Sequence, residues 1–230
     1  MKLGIMQPYF LPYIGYFQLV KAADKFIFYD DVNYIKNGWI NRNRILLKGE
    51  AHYITVNQKG ASPNKHINEI EIIDNRNKLR KTIISAYNKA PYFKDAWPLI
   101  EKIIEFQTNK ISELAEYSVI QTCKYLGINT KFEFSSKDYR QTSNLKLEKR
   151  LIAICNINKA SEYINPIGGI ELYEKKTFFK EGINLSFLKT GSITYRQFNN
   201  AFIENLSIID VIMFNSKERI NPMLDCFNLL

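Results

Sequence analysis

Residues 2–31 read KLGIMQPYFLPYIGYFQLVKAADKFIFYDD, and the pattern of this stretch decides the fold. Short apolar runs at 2–6 and 26–29 flank a segment whose apolar residues fit the helical period: Ile14, Phe17, Leu19, Val20 and Ala23. Two apolar strands joined by one helix form a βαβ unit, whose crossover is right-handed in nearly all proteins. The stretch therefore predicts two parallel strands with a helix over 14–23 between them.

The rest of the chain continues the alternation of strands and helices. Strands are predicted at 67–73, 131–135, 162–165 and 184–188, and helices at 76–89, 111–125, 145–158, 170–182 and 206–214. Residues 45–56 alternate around a Lys-Gly-Glu turn, which predicts a hairpin. We therefore expect a Rossmann-like α/β fold, with helices on both faces of a mostly parallel sheet. The whole of 1–230 is predicted to be one domain, with an insertion at about 36–75 that carries the hairpin.

Composition excludes some classes and suggests a partner. The 230 residues are 46% hydrophobic and 24% charged, which is typical of a globular protein and excludes disordered and fibrous classes. Lys and Arg number 32 against 23 Asp and Glu, so the formal net charge is +9. That excess favours an anionic partner such as a nucleotide, a phosphorylated sugar, tRNA or an acidic membrane. The alternative is a lysine-rich composition inherited from an AT-rich genome.

The cysteines and histidines are too few and too scattered for a structural metal. Cys123, Cys155 and Cys226 lie far apart and form no CxxC pair, and the histidines are His52 and His66. Zinc sites and metalloprotease helices need closely spaced ligands, which this chain lacks. The sequence predicts a reduced protein with neither a disulfide framework nor a metal.

The N-terminal segment resembles a signal peptide only in its first residues. An apolar run follows Lys2, but Gln7, Pro8, Pro12 and Gln18 interrupt it. No stretch reaches the roughly 18–20 apolar residues that a membrane-spanning helix needs. We therefore expect a cytoplasmic protein without a transmembrane segment.

The turn between the first strand and the first helix is a candidate for binding phosphate. Free backbone N–H groups and the helix dipole at such a helix start attract anions, and Gln7 opens this turn. Nucleotidylyltransferases carry a histidine pair in a similar turn, whereas this chain has Tyr13 and Tyr16. Adenylyl transfer by that mechanism is therefore disfavoured, while nucleotide binding stays open. The alternative is that these aromatic rings pack against the sheet.

The second candidate region is residues 30–44, which read DDVNYIKNGWINRNR. Asp30 and Asp31 follow the second strand, at the edge where open parallel sheets bind their ligands, and they are candidates for a catalytic base. The other candidate ligand groups are the cations Lys36, Arg42 and Arg44, the amides Asn41 and Asn43, and the flat ring of Trp39. The alternative interpretation is a solvated turn with one buried tryptophan.

Three further features are weaker candidates. The predicted helix at 76–89 carries Arg76, Arg80 and Lys81, which either bind a diphosphate or tRNA or form a solvated face. His52, in the predicted hairpin, is a general-base candidate because histidine titrates near neutral pH. Cys155 lies on a predicted helix with no base nearby in sequence, which favours a buried structural thiol over a nucleophile.

Several of these motifs together resemble those of the WbqC-like family of bacterial proteins. The resemblance rests on 7–44, on YNKAPYF at 87–93, and on shorter matches at 126–128, 135–136, 148–155, 182–183, 195–197 and 206–210. These segments occur in family order along nearly the whole chain. They add Tyr87, Lys89, Tyr195 and Gln197 to the candidate substrate-binding residues. The chain departs from its relatives at residues 165–166, where Asn-Pro replaces Ser-Gly.

The resemblance implies an enzyme of surface-polysaccharide or O-antigen biosynthesis. The implied activity attaches an aminoacyl group, glycyl first among the candidates, or a related acyl group to the amine of a nucleotide-linked aminodeoxy sugar. The acyl donor stays open among aminoacyl-tRNA, an acyl-CoA and an adenylate made from ATP, and no tightly bound cofactor is expected. Two other classes stay open: a nucleotidyltransferase or ATP-dependent ligase, and a non-catalytic protein that binds glycans or nucleotides.

Overall fold

A computed structural model describes residues 1–199 and 201–230. The strands are β1 (Lys2–Met6), β2 (Lys25–Phe28), β3 (Arg42–Leu47), β4 (Glu50–Thr55), β5 (Asn57–Lys59), β6 (Glu71–Ile73), β7 (Lys131–Phe134), β8 (Glu162–Pro166), β9 (Asn184–Thr190) and β10 (Phe227–Leu229). The α-helices are α1 (Ile14–Ala22), α2 (Arg76–Tyr87), α3 (Phe93–Ile104), α4 (Ile111–Leu126), α5 (Ser135–Asp138), α6 (Leu147–Ile157), α7 (Lys175–Lys180), α8 (Ile208–Phe214) and α9 (Lys217–Leu224).

The main sheet has six strands in the order β10-β9-β8-β1-β2-β7. Neighbouring strands are parallel except β10, which runs antiparallel to β9 at one edge. Helices cover the sheet on both sides. The α/β class and the mostly parallel sheet that the sequence predicted are therefore confirmed. The extent of a single domain over 1–230 stays a prediction.

The β1-α1-β2 unit forms as the first thirty residues predict. Gly4 pairs with Phe26 of the neighbouring strand, and a Cβ atom on Gly4 would lie 3.0 Å from the Phe26 ring. A larger residue at position 4 would therefore require the buried Phe26 ring to shift by a few tenths of an ångström. At the end of α1, the Asp24 carboxylate accepts a hydrogen bond from the N–H of Lys2 at 2.7 Å, so the helix returns the chain directly beside β1.

Alternating side chains divide the core between the two faces of the sheet. On β2, the buried rings of Phe26 and Phe28 join the larger cluster, which includes residues of α1, α4, α8 and α9. Ile27, between them, faces the smaller cluster under α6 and α7, together with Tyr163 of β8. This period of two is what a parallel strand covered on both faces requires.

The region between β2 and α2 contains two short antiparallel pairs outside the main sheet, β3 with β4 and β5 with β6. Lys48 and Gly49, both with positive φ, form the two-residue turn of the first hairpin, which the sequence placed at 45–56. The strand predicted at 67–73 is partly wrong. Residues Ile67–Glu69 form a short 3-10 turn, and only β6 is extended.

Other differences from the sequence prediction have local causes. The helix predicted at 170–182 is confined to α7, because tight turns precede it, with the N–H of Ile170 donating to Ile167 and that of Leu172 to Gly169. The sequence patterns did not predict α3, α9 or β10, and both helices contain an interior proline, Pro98 and Pro222. Of the helices in the described part of the chain, none combines the length and apolar character needed to cross a bilayer.

Candidate functional site

The strand order identifies one place in the sheet where a ligand is expected. From β1 the chain moves through α1 to β2 on one side, and it later enters β8 on the other side of β1. Open α/β sheets bind their ligands in the crevice outside the carboxyl ends of strands where the direction reverses in this way. A cavity of about 560 Å³ lies there, and we call it the switch-point cavity.

Aromatic rings and amides form the walls of the switch-point cavity. They include Gln7 after β1, Tyr29 after β2, and Tyr163 and Asn165 of β8. Asn165 is held in place by its Nδ2, which donates to the Tyr163 hydroxyl at 2.7 Å. A Cβ on the neighbouring Gly169 would lie 2.6 Å from the Asn165 Oδ1, so only glycine lets the turn after β8 approach this closely. The amide of Asn165 is therefore held in a fixed orientation at the cavity wall.

The mouth of the switch-point cavity is apolar. Ile35, Leu147 and Leu172 line it, although each is at least half exposed to solvent. No charged side chain is among the described residues that line this cavity. Planar, uncharged groups with polar edges fit such a lining, because the rings supply flat contacts and the amides supply hydrogen bonds.

A second cavity, of about 320 Å³, adjoins the first, and we call it the Trp39 cavity. Its walls include Tyr13, Trp39, Asn43 and Arg44, and Tyr9 lines both cavities. Burial and the neighbouring Tyr13 raise the pKa of Tyr9 to about 12, so the shared hydroxyl stays protonated at neutral pH. The Trp39 cavity therefore brings together four residues that were singled out from the sequence, namely Tyr13, Trp39, Asn43 and Arg44.

Arg44 is the charged group of the Trp39 cavity. Its guanidinium carbon lies 5.7 Å from the centre of the Trp39 ring, and one terminal nitrogen donates to the backbone oxygen of Asn205 at 3.3 Å. Its buried Nε has no hydrogen-bond partner among the described residues. Asn43 beside it is fixed by a hydrogen bond to the backbone oxygen of Phe10. Because the Arg44 side chain is partly exposed and lines this cavity, its terminal nitrogens can donate to a ligand there.

A third cavity, of about 390 Å³, continues the row, and we call it the Glu204 cavity. The end of β9 and the chain after it form part of its lining, with the hydroxyl-bearing residues Thr190, Ser192 and Thr194. The lining also includes Glu204 and Asn205, and Asn205 lines the Trp39 cavity as well. Three adjoining cavities therefore follow the carboxyl edge of the parallel strands.

The two aspartates predicted as catalytic lie beside this row, with their oxygens engaged. Asp30 is buried, and it accepts hydrogen bonds from the Ser136 N–H at 2.9 Å and from the hydroxyls of Ser135 and Ser136. Asp31 forms an ion pair with Arg150 at 2.6 Å and also contacts the Ser135 hydroxyl. Neither carboxylate lines any of the three cavities. In this structure the pair joins β2 to α5 and α6.

Arg150 connects the aspartates to the switch-point cavity. Its side chain is 4% exposed, and its guanidinium carbon lies 5.0 Å from the centre of the Tyr29 ring. Thr142 accepts a further hydrogen bond from its Nε. Asp31 thus orients Arg150, and Arg150 supports the wall residue Tyr29 from behind. Neither Arg150 nor Tyr29 was singled out from the sequence. The position of Tyr29 directly after β2, at the edge where such sheets bind ligands, could have indicated it.

One oxygen of a buried carboxyl beside this cluster has no hydrogen-bond partner in the described part of the chain. Glu116 of α4 is 6% exposed, and its Oε1 is unpaired among the described residues. Burial, and next the nearby Asp30, raise the pKa of Glu116 to about 8. The shift therefore favours the protonated form of Glu116 at neutral pH.

Three of the predicted substrate-binding residues instead surround a buried aspartate. Tyr87, Tyr195 and Gln197 all donate to the Asp210 carboxylate, at 2.8, 2.7 and 2.7 Å. Burial raises the pKa of Asp210, although the three donors oppose that shift. Tyr87 is fully buried, and its hydroxyl also accepts the N–H of Leu46. Tyr87 and Gln197 are therefore structural in this arrangement, whereas the Tyr195 ring borders the Glu204 cavity.

The other predicted residues lie outside the row of cavities. Tyr16 is in the core and donates to the Gln7 backbone, and Asn41 is buried and bonds to Tyr34 and Val56. Arg42 holds its own loop, donating to the backbone oxygens of Asn37 and Gly38. Exposed positions that line none of the three cavities are Lys36, His52 and Lys89.

The basic helix α2 uses part of its charge internally. Arg76 donates to the backbone oxygens of Ile104 and Phe106, which closes the C-terminal end of α3. Arg80 pairs with Glu101 at 2.7 Å. The cluster therefore offers less free charge than its sequence suggests. Among residues 1–199 and 201–230, no three Cys, His, Asp or Glu side chains come together to hold a metal ion.

Comparison with known proteins assigns the chain to a family. The profile of the WbqC-like protein family matches residues 7–222. The chain belongs to this family. The uncharacterized protein Rv1507c of Mycobacterium tuberculosis is 31% identical to this WbqC-like protein over 221 residues, which is 93% of each chain. No solved structure matches it. Gln7, Arg44 and Glu204, one from each cavity, lie within the part of the chain that the family profile matches.

Proposed function

We propose that this WbqC-like protein is a transferase that acts on a nucleotide-linked aminodeoxy sugar. It attaches an aminoacyl group, glycyl first among the candidates, or a related acyl group to the sugar amine. We place the reaction in the cytoplasm, in the biosynthesis of a surface polysaccharide such as O-antigen. The observation that carries this proposal is the row of three adjoining cavities at the carboxyl edge of the sheet. Such a substrate also has three parts: a nucleoside, a diphosphate and an amino sugar.

The nucleoside fits the switch-point cavity. Tyr29 and Tyr163 present rings to a base or ribose, and the amides of Gln7 and Asn165 present both donors and acceptors. The absence of charged side chains among the described lining residues suits an uncharged base. The position agrees with the crevice that nucleotide-binding α/β sheets use.

The diphosphate fits next to Arg44. Arg44 is partly exposed and lines this cavity, and guanidinium groups bind phosphate oxygens with strong, charge-assisted hydrogen bonds. Tyr9 lies where the switch-point cavity meets the Trp39 cavity, so a substrate that extends past Tyr9 can occupy both cavities. Trp39 offers a flat face against which the sugar ring can pack.

The first experiment measures binding by thermal denaturation and calorimetry. The probes are a dTDP-linked and a UDP-linked amino sugar, with the free amino sugar as comparison. A ligand at 100 times its Kd adds about 2.7 kcal/mol of stability, which raises Tm by roughly 5–10 °C for a chain of this size. We expect this shift from at least one nucleotide-linked sugar and none from the free sugar. Equal shifts from both would contradict a nucleotide site.

A matched pair of variants locates the binding site. Arg44→Met removes the charge in the Trp39 cavity, and Arg80→Met removes a surface arginine that pairs with Glu101. We expect Kd to rise about 10- to 100-fold for the first, which corresponds to one charge-assisted hydrogen bond. Arg80→Met should leave Kd unchanged. Equal effects would show that the net charge of +9, and not this site, attracts the nucleotide.

A second experiment identifies the acyl donor. Product formation is measured from glycine, ATP and the amino-sugar nucleotide, with and without a tRNA-charging system, and separately with an acyl-CoA. Loss of product after ribonuclease treatment would assign aminoacyl-tRNA as donor. Unchanged product would leave the adenylate or CoA route. Metal-dependent exchange between ATP and pyrophosphate without any acyl product would instead assign a ligase or nucleotidyltransferase.

A further inference from the structure

The three cavities contain one cationic and one anionic side chain among their described lining residues. These are Arg44 and Glu204. Within the described part of the chain, neither takes part in a salt bridge. The Arg44 guanidinium donates to the backbone oxygen of Asn205, the residue after Glu204, so the two charges stand on neighbouring walls.

The segment that carries Glu204 is held on both sides. Gln197 clamps Ile203 by accepting its N–H at 2.7 Å and donating to its backbone oxygen at 3.0 Å. Asn205, on the other side, has φ +56° and accepts the hydrogen bond from Arg44. Since Gln197 also donates to the buried Asp210, the clamp is anchored in the core. The backbone that carries Glu204 is therefore held at a defined position in the cavity wall.

We propose that Glu204 binds the amine of the acceptor sugar and acts as the general base of the transfer. This inference rests on the proposed function, because it takes the nucleotide-linked amino sugar as substrate. With the diphosphate at Arg44, a single sugar ring extends from the Trp39 cavity toward the Glu204 cavity. The substrate class is therefore one in which the amine lies on the sugar directly attached to the diphosphate.

The chemistry at Glu204 has a definite proton balance. The sugar enters with an ammonium group, and the carboxylate accepts one proton from it to leave a nucleophilic amine. The nitrogen lone pair forms the C–N bond to the carbonyl carbon of an activated acyl ester or thioester. The bond between that carbon and its oxygen or sulfur leaving group breaks. The leaving group departs with the bonding electrons and receives the proton held by Glu204. The nitrogen, which still carries two protons after the attack, then releases one of them through the regenerated Glu204 carboxylate to water, and the neutral amide remains.

The test of this inference compares binding and turnover in one variant. In Glu204→Gln we expect kcat to fall roughly 10²- to 10⁴-fold, because general-base catalysis contributes that much. Glu204→Asp should recover part of the rate. Glu181→Gln, an exposed glutamate between α7 and β9, is the matched control and should keep full kcat. Unchanged kcat in Glu204→Gln would overturn the inference.

A binding measurement works without knowledge of the acyl donor. The probes are a nucleotide-linked 4-amino sugar and the same nucleotide sugar with a hydroxyl in place of the amine. The wild type should prefer the amino sugar by roughly tenfold or more, the value of a charged hydrogen bond, and Glu204→Gln should lose that preference. Equal preference in both proteins would overturn the role of Glu204. If neither nucleotide sugar binds the wild type, it is the proposed function that fails.

Discussion

Two groups of polar side chains at the same edge of the sheet differ in how fully their hydrogen bonds are used. At the ends of β2 and β7, Asp30 and Asp31 accept hydrogen bonds from Ser135, Ser136 and Arg150, and the hydrogen-bonding capacity of this group is nearly saturated. Along the row of cavities, Arg44 keeps an unpaired nitrogen and Glu204 stands exposed in a cavity wall.

The difference shows that a concentration of polar residues does not by itself identify a binding site. Buried polar groups are normally paired, because an unpaired one costs about 1–3 kcal/mol. The Asp30–Arg150 group follows that rule and stabilises the fold. Groups that keep free capacity next to a cavity are those that remain for a ligand.

The largest expected effect comes from breaking the saturated group. Arg150→Met leaves Asp31 without its ion-pair partner, and the two side chains are 4% and 12% exposed. Removing one member of a buried pair costs about 3–5 kcal/mol. Arg44→Met, the same change in the row of cavities, should cost at most about 1 kcal/mol. Urea denaturation of both variants at equal m-value measures the contrast.

The double variant Asp31→Leu with Arg150→Met is the control for this prediction. It removes both charges, so we expect it to be clearly more stable than Arg150→Met alone. A single Arg150→Met variant within 1 kcal/mol of the wild type would contradict a saturated buried pair. Asp31 would then again be a candidate for the catalytic base.

The fold could be predicted from sequence where the apolar periodicity was strong. The βαβ unit, the hairpin around Gly49 and the alternation of strands and helices after residue 131 all follow from local patterns. Helices α3 and α9 could not be predicted in this way, because each contains a proline. A proline inside a short segment predicts the end of a helix, although tertiary packing can override that preference.

The candidate site could be predicted only in part, because pairing is a property of the folded chain. Gln7, Tyr13, Trp39, Asn43 and Arg44 were singled out from the sequence and line cavities in the structure. Their role in binding remains a prediction. The partners that occupy Asp30 and Asp31 lie more than 100 residues away in sequence, as do the elements that form the other cavity walls. No local pattern reveals such contacts.

The buried carboxyl of Glu116, beside the Asp30–Arg150 group, predicts how the stability of the protein depends on pH. Its pKa is raised to about 8 from an ordinary 4.5, so between these values the folded chain holds a proton that the unfolded chain has lost. The free energy of unfolding therefore falls as pH rises through this window. Glu116→Gln cannot ionise, and we expect it to be more stable than the wild type at pH 9 by on the order of 3 kcal/mol.

Denaturation at pH 4 and at pH 9 measures this effect. At pH 4 the two proteins should have similar stability, since the wild-type carboxyl is then protonated in both states. Glu105→Gln, an exposed change directly after α3, is the control and should differ from the wild type by the same amount at both pH values. A constant difference between Glu116→Gln and the wild type at both pH values would mean that Glu116 is not held protonated beside Asp30.

The smallest expected effect distinguishes a structural tyrosine from one that lines a cavity. Tyr87→Phe removes the donor to Asp210 and the acceptor for the Leu46 N–H, and it should cost about 1–3 kcal/mol without changing nucleotide-sugar affinity. Tyr13→Phe, in the Trp39 cavity, should cost about 0.5 kcal/mol and weaken binding instead. Thermal denaturation with and without the nucleotide sugar measures both quantities. If Tyr87→Phe kept its stability but lost binding, Tyr87 would contact the substrate, as its place in the YNKAPYF segment first suggested.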